Sequence, residues 1–221
     1  MSKILSIIKG MQIAKRPSDY WVASDTNFPE LDASHTIIQR NGQSVWDHTM
    51  AVIDALETKN HITLLAGLFH DLGKCSVKNI DNPSMPRFPC HATASANIAR
   101  IKLTEWQASL YLIDRVMRIV LTHMYDIISV VNEKTIRRFI SDVGLDNIEN
   151  WFMVRRADSA SYSQHGQYRK HIIDPFYNCV KEYLETLPYE NSPIQLQSEP
   201  NIDIRGKECK SDDTFLTTEG G

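Results

Sequence analysis

The chain has 221 residues, enough for one domain with a sizeable core and short appendages. A composition of 42% hydrophobic and 23% charged residues is that of a folded globular protein and excludes a wholly disordered chain. A net charge of −3 excludes a molecule that gathers nucleic acid by its overall field, so a nucleotide or RNA substrate has to be held by local cations.

In chain order, residues 2–14 place Ile4, Ile7, Ile8 and Met11 on one stripe, which predicts an amphipathic helix. Ser6 and Lys9 interrupt its apolar run and no small-residue cleavage site follows, so it is not read as a signal peptide. No run approaches the length that spans a membrane. Residues 15–43, with Arg16-Pro17-Ser18-Asp19 and Asn41-Gly42, read as mostly loop and turn. Ser44 can cap a helix to about residue 58, with Val45, His48, Val52 and Leu56 on one face. Residues 61–72 are apolar nearly all round, the mark of a central buried helix, and Gly73 is placed to end it. The three prolines of residues 74–90 indicate a long loop that leads to His91.

Helices resume at 91–103 and 105–124, the second with Leu112, Val116, Ile119 and His123 on one face. Further helices are expected at 133–143, closed by Gly144, at 147–161, and at about 166–187 up to Pro188. In the 147–161 helix Trp151, Val154 and Asp158 share a side. From residue 189 the chain is polar, with too little apolar surface to order by itself. The fold expected is all-α, divided into an N-terminal helix and connector (1–24), a helical domain (25–189) and a polar tail (190–221). Cys75, Cys90, Cys179 and Cys209 show no CxxC spacing, and the simplest reading is reduced thiols in a cytoplasmic protein.

The richest stretch chemically is Leu68-Phe69-His70-Asp71-Leu72-Gly73-Lys74. A His-Asp pair alone means little, but here it stands in the ordered series His48, His70-Asp71, His91, His123, Asp158. Imidazoles and carboxylates in that number suit one or two divalent ions, with Mn, Fe, Co, Ni and Mg all admissible. His48, His70, Asp71 and Asp158 can form one site, and Asp71 can bridge to a second held by His91 and His123. Lys74 follows closely enough to hold a phosphate oxygen, and one of Arg137 and Arg138, which cannot share a helix face, can do the same. His35, His61, His165 and His171 fit no place in the series and read as surface or packing residues.

This order of residues resembles the HD superfamily of metal-dependent phosphohydrolases, and most closely the HD domain of bacterial tRNA nucleotidyltransferases, the CCA-adding enzymes. The likeness runs over about residues 25–165. It is carried by Asn27-Phe28-Pro29-Glu30-Leu31, Ser44-Val45-Trp46-Asp47-His48-Thr49, the HDxGK core at 70–74, and Arg87-Phe88-Pro89-Cys90-His91. Leu121-Thr122-His123-Met124, Arg137-Arg138-Phe139 and Arg155-Arg156-Ala157-Asp158 continue it. The resemblance implies a helical HD bundle and a phosphodiesterase or phosphatase acting on nucleotide or RNA 3′-end phosphates such as 2′,3′-cyclic phosphates. A nucleotidase or triphosphohydrolase on free nucleotides, or a non-catalytic module binding nucleotide or RNA, are the alternatives. In this setting Asp71 and Lys74 are the expected catalytic residues, with neither DNA nor a membrane as partner. The nucleotide-adding head of those enzymes has no counterpart in these 221 residues, so addition of CCA to tRNA is not expected.

Overall fold

The computed structural model describes residues 2–23, 27–77, 86–127, 131–161 and 166–187, with helix positions but not side chains at 166–170. The tail expected at 190–221, His165 and Cys209 lie outside the described residues. Among the described residues the elements are helices, as expected, and an isolated antiparallel bridge pairs Ile38 with Ser44. No helix among them is long and apolar enough to cross a membrane.

Helix α1 (Lys3–Ile13) buries Ile4, Ile7 and Met11, the expected stripe. The segment expected to be loop instead carries α2 (Pro17–Ala23), α3 (Pro29–Ala33) and a 3-10 turn at Ser34–Thr36. Its turn signals act as helix starts: Pro17 opens α2, and the Asp19 carboxylate accepts from the Arg16 backbone N–H at 3.1 Å. Burial of Trp21, Phe28 and Leu31 orders the rest. Each such side chain contributes roughly 1.5–3 kcal/mol, enough to fix short helices that propensity alone would not hold.

Helix α4 (Val45–Ala55) starts at Ser44, whose Oγ accepts from the Asp47 N–H at 3.0 Å. Helix α5 (His61–Phe69) is capped by the Asn60 side chain and is buried from Ile62 onward. It forms the centre of the molecule, packed against α4, α7 (His91–Glu105), α8 (Leu110–Thr122) and α10 (Ile148–Ala160). It ends at Phe69, earlier than its apolar run suggests, and His70–Gly73 form a turn that leads into the short helix α6 (Lys74–Val77). Gly73 is therefore no left-handed helix cap; among the described residues the glycines with positive φ are Gly42 and Gly144. Its constraint is room, since a Cβ there would lie 2.3 Å from the His91 carbonyl oxygen and 2.4 Å from the Ser95 nitrogen.

The helices read as starting at 91 and 105 are parted by Gln107, at φ +61°, and α8 starts only after Ser109 caps it. Helix α9 (Glu133–Val143) ends at Gly144, at φ +85°, and α11 (Gly166–Thr186) crosses α9 and α10. Two aromatic groups weld these parts: Trp21, Phe28, Phe69 and Trp106 at one end, and Phe139, Trp151, Phe152 and Phe176 at the other. Cys75 and Cys179 are free thiols. Cys90 is disulfide-bonded, against the expectation of reduced thiols throughout.

Candidate metal centre

The turn at 70–73 brings a histidine and an aspartate off the end of α5 into the crevice between α4, α7, α8 and α10. His48 comes from the middle of α4, His91 from the first position of α7, His123 from the end of α8, and Asp158 from α10. The six side chains converge, and all but His91 are buried, His91 being partly so.

The two oxygens of Asp71 face different pairs of histidines. Oδ2 lies 3.5 Å from His48 Nε2 and 3.3 Å from His70 Nε2, while Oδ1 lies 3.4 Å from His91 Nε2 and 3.6 Å from His123 Nε2. Asp158 Oδ1 completes the first group at 3.1 Å from His48 Nε2 and 3.9 Å from His70 Nε2. Each aspartate gives its remaining contact to a cation. Lys74 Nζ donates to Asp71 Oδ2 at 2.6 Å, and an Arg155 guanidinium N–H donates to Asp158 Oδ2 at 3.3 Å.

The histidine tautomers decide what this arrangement can hold. Nδ1 of His70, His91 and His123 lies 2.7, 2.9 and 2.6 Å from the carbonyl oxygens of Gly67, Phe88 and Val120. A carbonyl only accepts, so each Nδ1 carries the hydrogen, and in the neutral ring Nε2 presents a lone pair. The lone pairs of His91 and His123 meet, their Nε2 atoms being 3.2 Å apart, and His70 Nε2 stands 3.3 Å from that of His48. Asp71 Oδ1 is buried with no hydrogen-bond partner, the imidazoles beside it standing too far off. Lone pairs packed together away from water repel unless a cation lies among them. Ligand atoms each about 2.1 Å from one ion sit roughly 3 Å apart or slightly more, the separations seen here. The residues present therefore fit divalent ions in two groups, His48, His70 and Asp71 with Asp158 adjoining, and Asp71, His91 and His123.

The titration behaviour follows from the same packing. Burial would raise the Asp71 carboxyl, but the Lys74 ammonium and the His70 imidazole outweigh it and hold the group well below the usual carboxylate range. Burial is likewise overcome at Asp158, by His48, His70 and Arg155, and its carboxyl is strongly lowered. At His70 burial is outweighed by Asp71 and Asp158, and its pKa rises. At His91 burial wins over Asp71, and with His123 and Lys74 adding to it the pKa falls to about 4. Both carboxylates stay ionised and His91 stays neutral at ordinary pH, the forms that bind metal.

Residues 43–150 match the family model of the HD domain. All the converging side chains except Asp158 fall inside the matched stretch, and Asp158 lies beyond its end on α10. No curated protein matches the chain.

Lys74 is buried, pairing with Asp71 and donating to Gln39 Oε1 at 2.7 Å. Arg137 and Arg138 are exposed on α9 and are not brought into the cluster; Arg137 pairs with Glu133 and the Tyr183 hydroxyl, and Arg138 with Asp142. His35 is exposed and stacked on Trp46 at 4.0 Å, and His61 and His171 are exposed, so the three lie outside the cluster. Gln39 escaped the sequence reading, because an amide in a stretch read as loop carries no signal of its own. Arg155 stood only within the string Arg155-Arg156-Ala157-Asp158, where its place three residues before Asp158 on one helix was the signal for their contact.

Proposed function

We propose that the chain is a metal-dependent phosphohydrolase acting on nucleotide or RNA-end phosphates, 2′,3′-cyclic phosphates among them. The observation that carries this reading is one buried carboxylate, Asp71, whose two oxygens each face a separate pair of histidines. The HD domain match supports metal-dependent hydrolysis, and the choice of substrate rests on the resemblance to the HD domains of CCA-adding enzymes. His48, His70, Asp71 and Asp158 would hold one ion, and Asp71, His91 and His123 a second.

Divalent ions in such a site supply an activated water and positive charge where the phosphoryl oxygens gather charge. The chain's own groups do the rest. The Gly67, Phe88 and Val120 carbonyls fix three imidazoles in the tautomer that turns Nε2 inward. Lys74 and Arg155 orient the two carboxylates and offset their charge. Lys74 also stands nearest the bridging carboxylate as a phosphate contact, a task for which the exposed Arg137 and Arg138 are less well placed.

The test is hydrolysis by the purified protein of 2′,3′-cyclic mononucleotides, nucleoside mono- and triphosphates and RNA ends, with Mn, Fe, Co, Ni or Mg added in turn. Hydrolysis of the cyclic phosphates is expected, removed by a chelator and restored by metal. Preference for free triphosphates would shift the substrate class, and inertness towards every ester with every metal would overturn the reading.

A further inference from the structure

Gln39 lies outside the HDxGK stretch, on a turn between the 3-10 helix at Ser34–Thr36 and α4. Its amide is buried, and Oε1 accepts from the Lys74 ammonium at 2.7 Å while the same nitrogen donates to Asp71 Oδ2 at 2.6 Å. The turn is itself held on several sides. Gln39 N–H donates to the Gln43 carbonyl at 2.9 Å, Gly42 N–H donates to the Gln39 carbonyl at 3.0 Å, and Val45 N–H donates to the Ile37 carbonyl at 2.8 Å. The last bond ties the turn to the first residue of α4, the helix that carries His48. Arg40 Nε donates to the Pro86 carbonyl at 3.4 Å, tying the turn to the segment that leads to His91.

We propose that Gln39 is a positioning residue of the metal centre, its side-chain carbonyl holding Lys74 on Asp71 Oδ2 so that Oδ1 stays turned towards His91 and His123. The proposal rests on the reading of this cluster as a metal site. A lysine is a flexible chain ending in a compact ammonium with three donors. Held by one carboxylate oxygen, it can swing, and the carboxylate can rotate with it. Acceptors on two separate elements fix both ammonium and carboxylate. A neutral amide suits the task, because it directs an N–H without competing for the charge that Lys74 shares with Asp71. The position also explains why a polar side chain is buried in a short turn otherwise free of chemistry.

The experiment is a calorimetric titration with Mn²⁺ alone of the metal-free full chain, for wild type, Gln39→Met, Gln39→Glu, Lys74→Met and the Gln39→Met/Lys74→Met pair. Loss of a residue that orients a metal ligand weakens metal binding about 10–100-fold, and that loss is expected for Gln39→Met. Gln39→Glu keeps an acceptor oxygen in place and is expected to retain more of the affinity than Gln39→Met. In the Lys74→Met background Gln39→Met should cost nothing further, because its effect runs through the ammonium. If Gln39→Met does not fold, Gln39→Asn withdraws the acceptor by one methylene and takes its place in the same cycle.

Wild-type affinity in the Gln39 variants would overturn the proposal. So would losses that add within about twofold, the signature of independent sites. A wild-type chain that binds no Mn²⁺ would overturn the metal-site reading itself, whereas metal binding with an additive cycle would sink only the role of Gln39.

Discussion

Asp71 faces four imidazoles and an ammonium with a single negative charge. Asp71→Asn keeps its shape and removes the charge. Bound Mn²⁺ should fall at both sites, and phosphohydrolase activity should drop by about 100-fold or more, beyond the upper end of what orienting residues cost; metal analysis and initial rates check this. Near-wild-type turnover with metal still bound would mean that the chemistry lies elsewhere. His91 supplies a second expectation. In the metal-free protein it titrates at about 4 against 6.5 for the ordinary imidazole, so across that interval the unfolded chain takes up a proton that the folded chain refuses. Stability of the metal-free protein therefore rises with pH from about 4 to 6.5 on this account, by at most roughly 3 kcal/mol. The rise should be smaller in His91→Gln, measured by urea unfolding in the presence of chelator. His70, whose pKa is raised, acts in the opposite sense, stabilising below 6.5 and losing that contribution as pH climbs through its folded value. The wild-type and variant difference isolates His91. The converging side chains were legible because their order along the chain is informative. Gln39 was not, since its role exists only once Lys74 has folded back beside it.

At the scale of the elements, apolar periodicity located the long helices, while tertiary contacts settled the ends. The run from His61 looks continuous to Leu72, yet the helix stops at Phe69 so that His70 and Asp71 can turn into the crevice. The segment 15–43 carries loop residues and still folds into short helices, because Trp21, Phe28 and Leu31 find partners about Trp106 that no local pattern reveals. Gly73 was read as the stop of this helix, which in fact ends at Phe69, and its constraint is of another kind. Gly73 lets the start of α7 approach the turn that carries His70 and Asp71, with its own N–H donating to Ser95 Oγ at 2.8 Å. Gly73→Ala sets a methyl against backbone atoms of His91 and Ser95, which cannot swing aside as a side chain would. The expected cost is about 3 kcal/mol in thermal unfolding, the upper part of the range for overpacking. Retreat of α7 carries His91 with it, so the Asp71, His91 and His123 group should lose Mn²⁺ before the other does. A variant with wild-type stability and metal stoichiometry would show that α7 yields freely.

For the whole molecule, the HD domain match stops at residue 150, short of Asp158 and of α11. Helix α11 buries Ile173, Phe176 and Val180, and Phe176 sits 5.0 Å from the ring of Phe139 and 5.9 Å from that of Phe152. Polar contacts tie the same helix to α10: the Tyr177 hydroxyl donates to Glu149 at 3.0 Å, and Arg156 pairs with Asp174 at 2.8 Å. Three buried apolar side chains contribute roughly 5–9 kcal/mol together, comparable with the entire stability of an ordinary domain, about 5–15 kcal/mol. A chain ending at residue 161 keeps every candidate ligand and should nonetheless lose its cooperative melt, because Phe139 and Phe152 are stripped of cover and α10 is free to tilt Asp158 away from His48. A chain ending near residue 189 retains α11 and should melt cooperatively, bind Mn²⁺ and hydrolyse a 2′,3′-cyclic mononucleotide at the full-length rate. Circular dichroism with thermal melting, metal titration and that assay separate the cases. Activity lost in the chain ending near residue 189 would place part of the working enzyme in residues 190–221, and activity kept in the chain ending at residue 161 would show that α11 is dispensable to the centre.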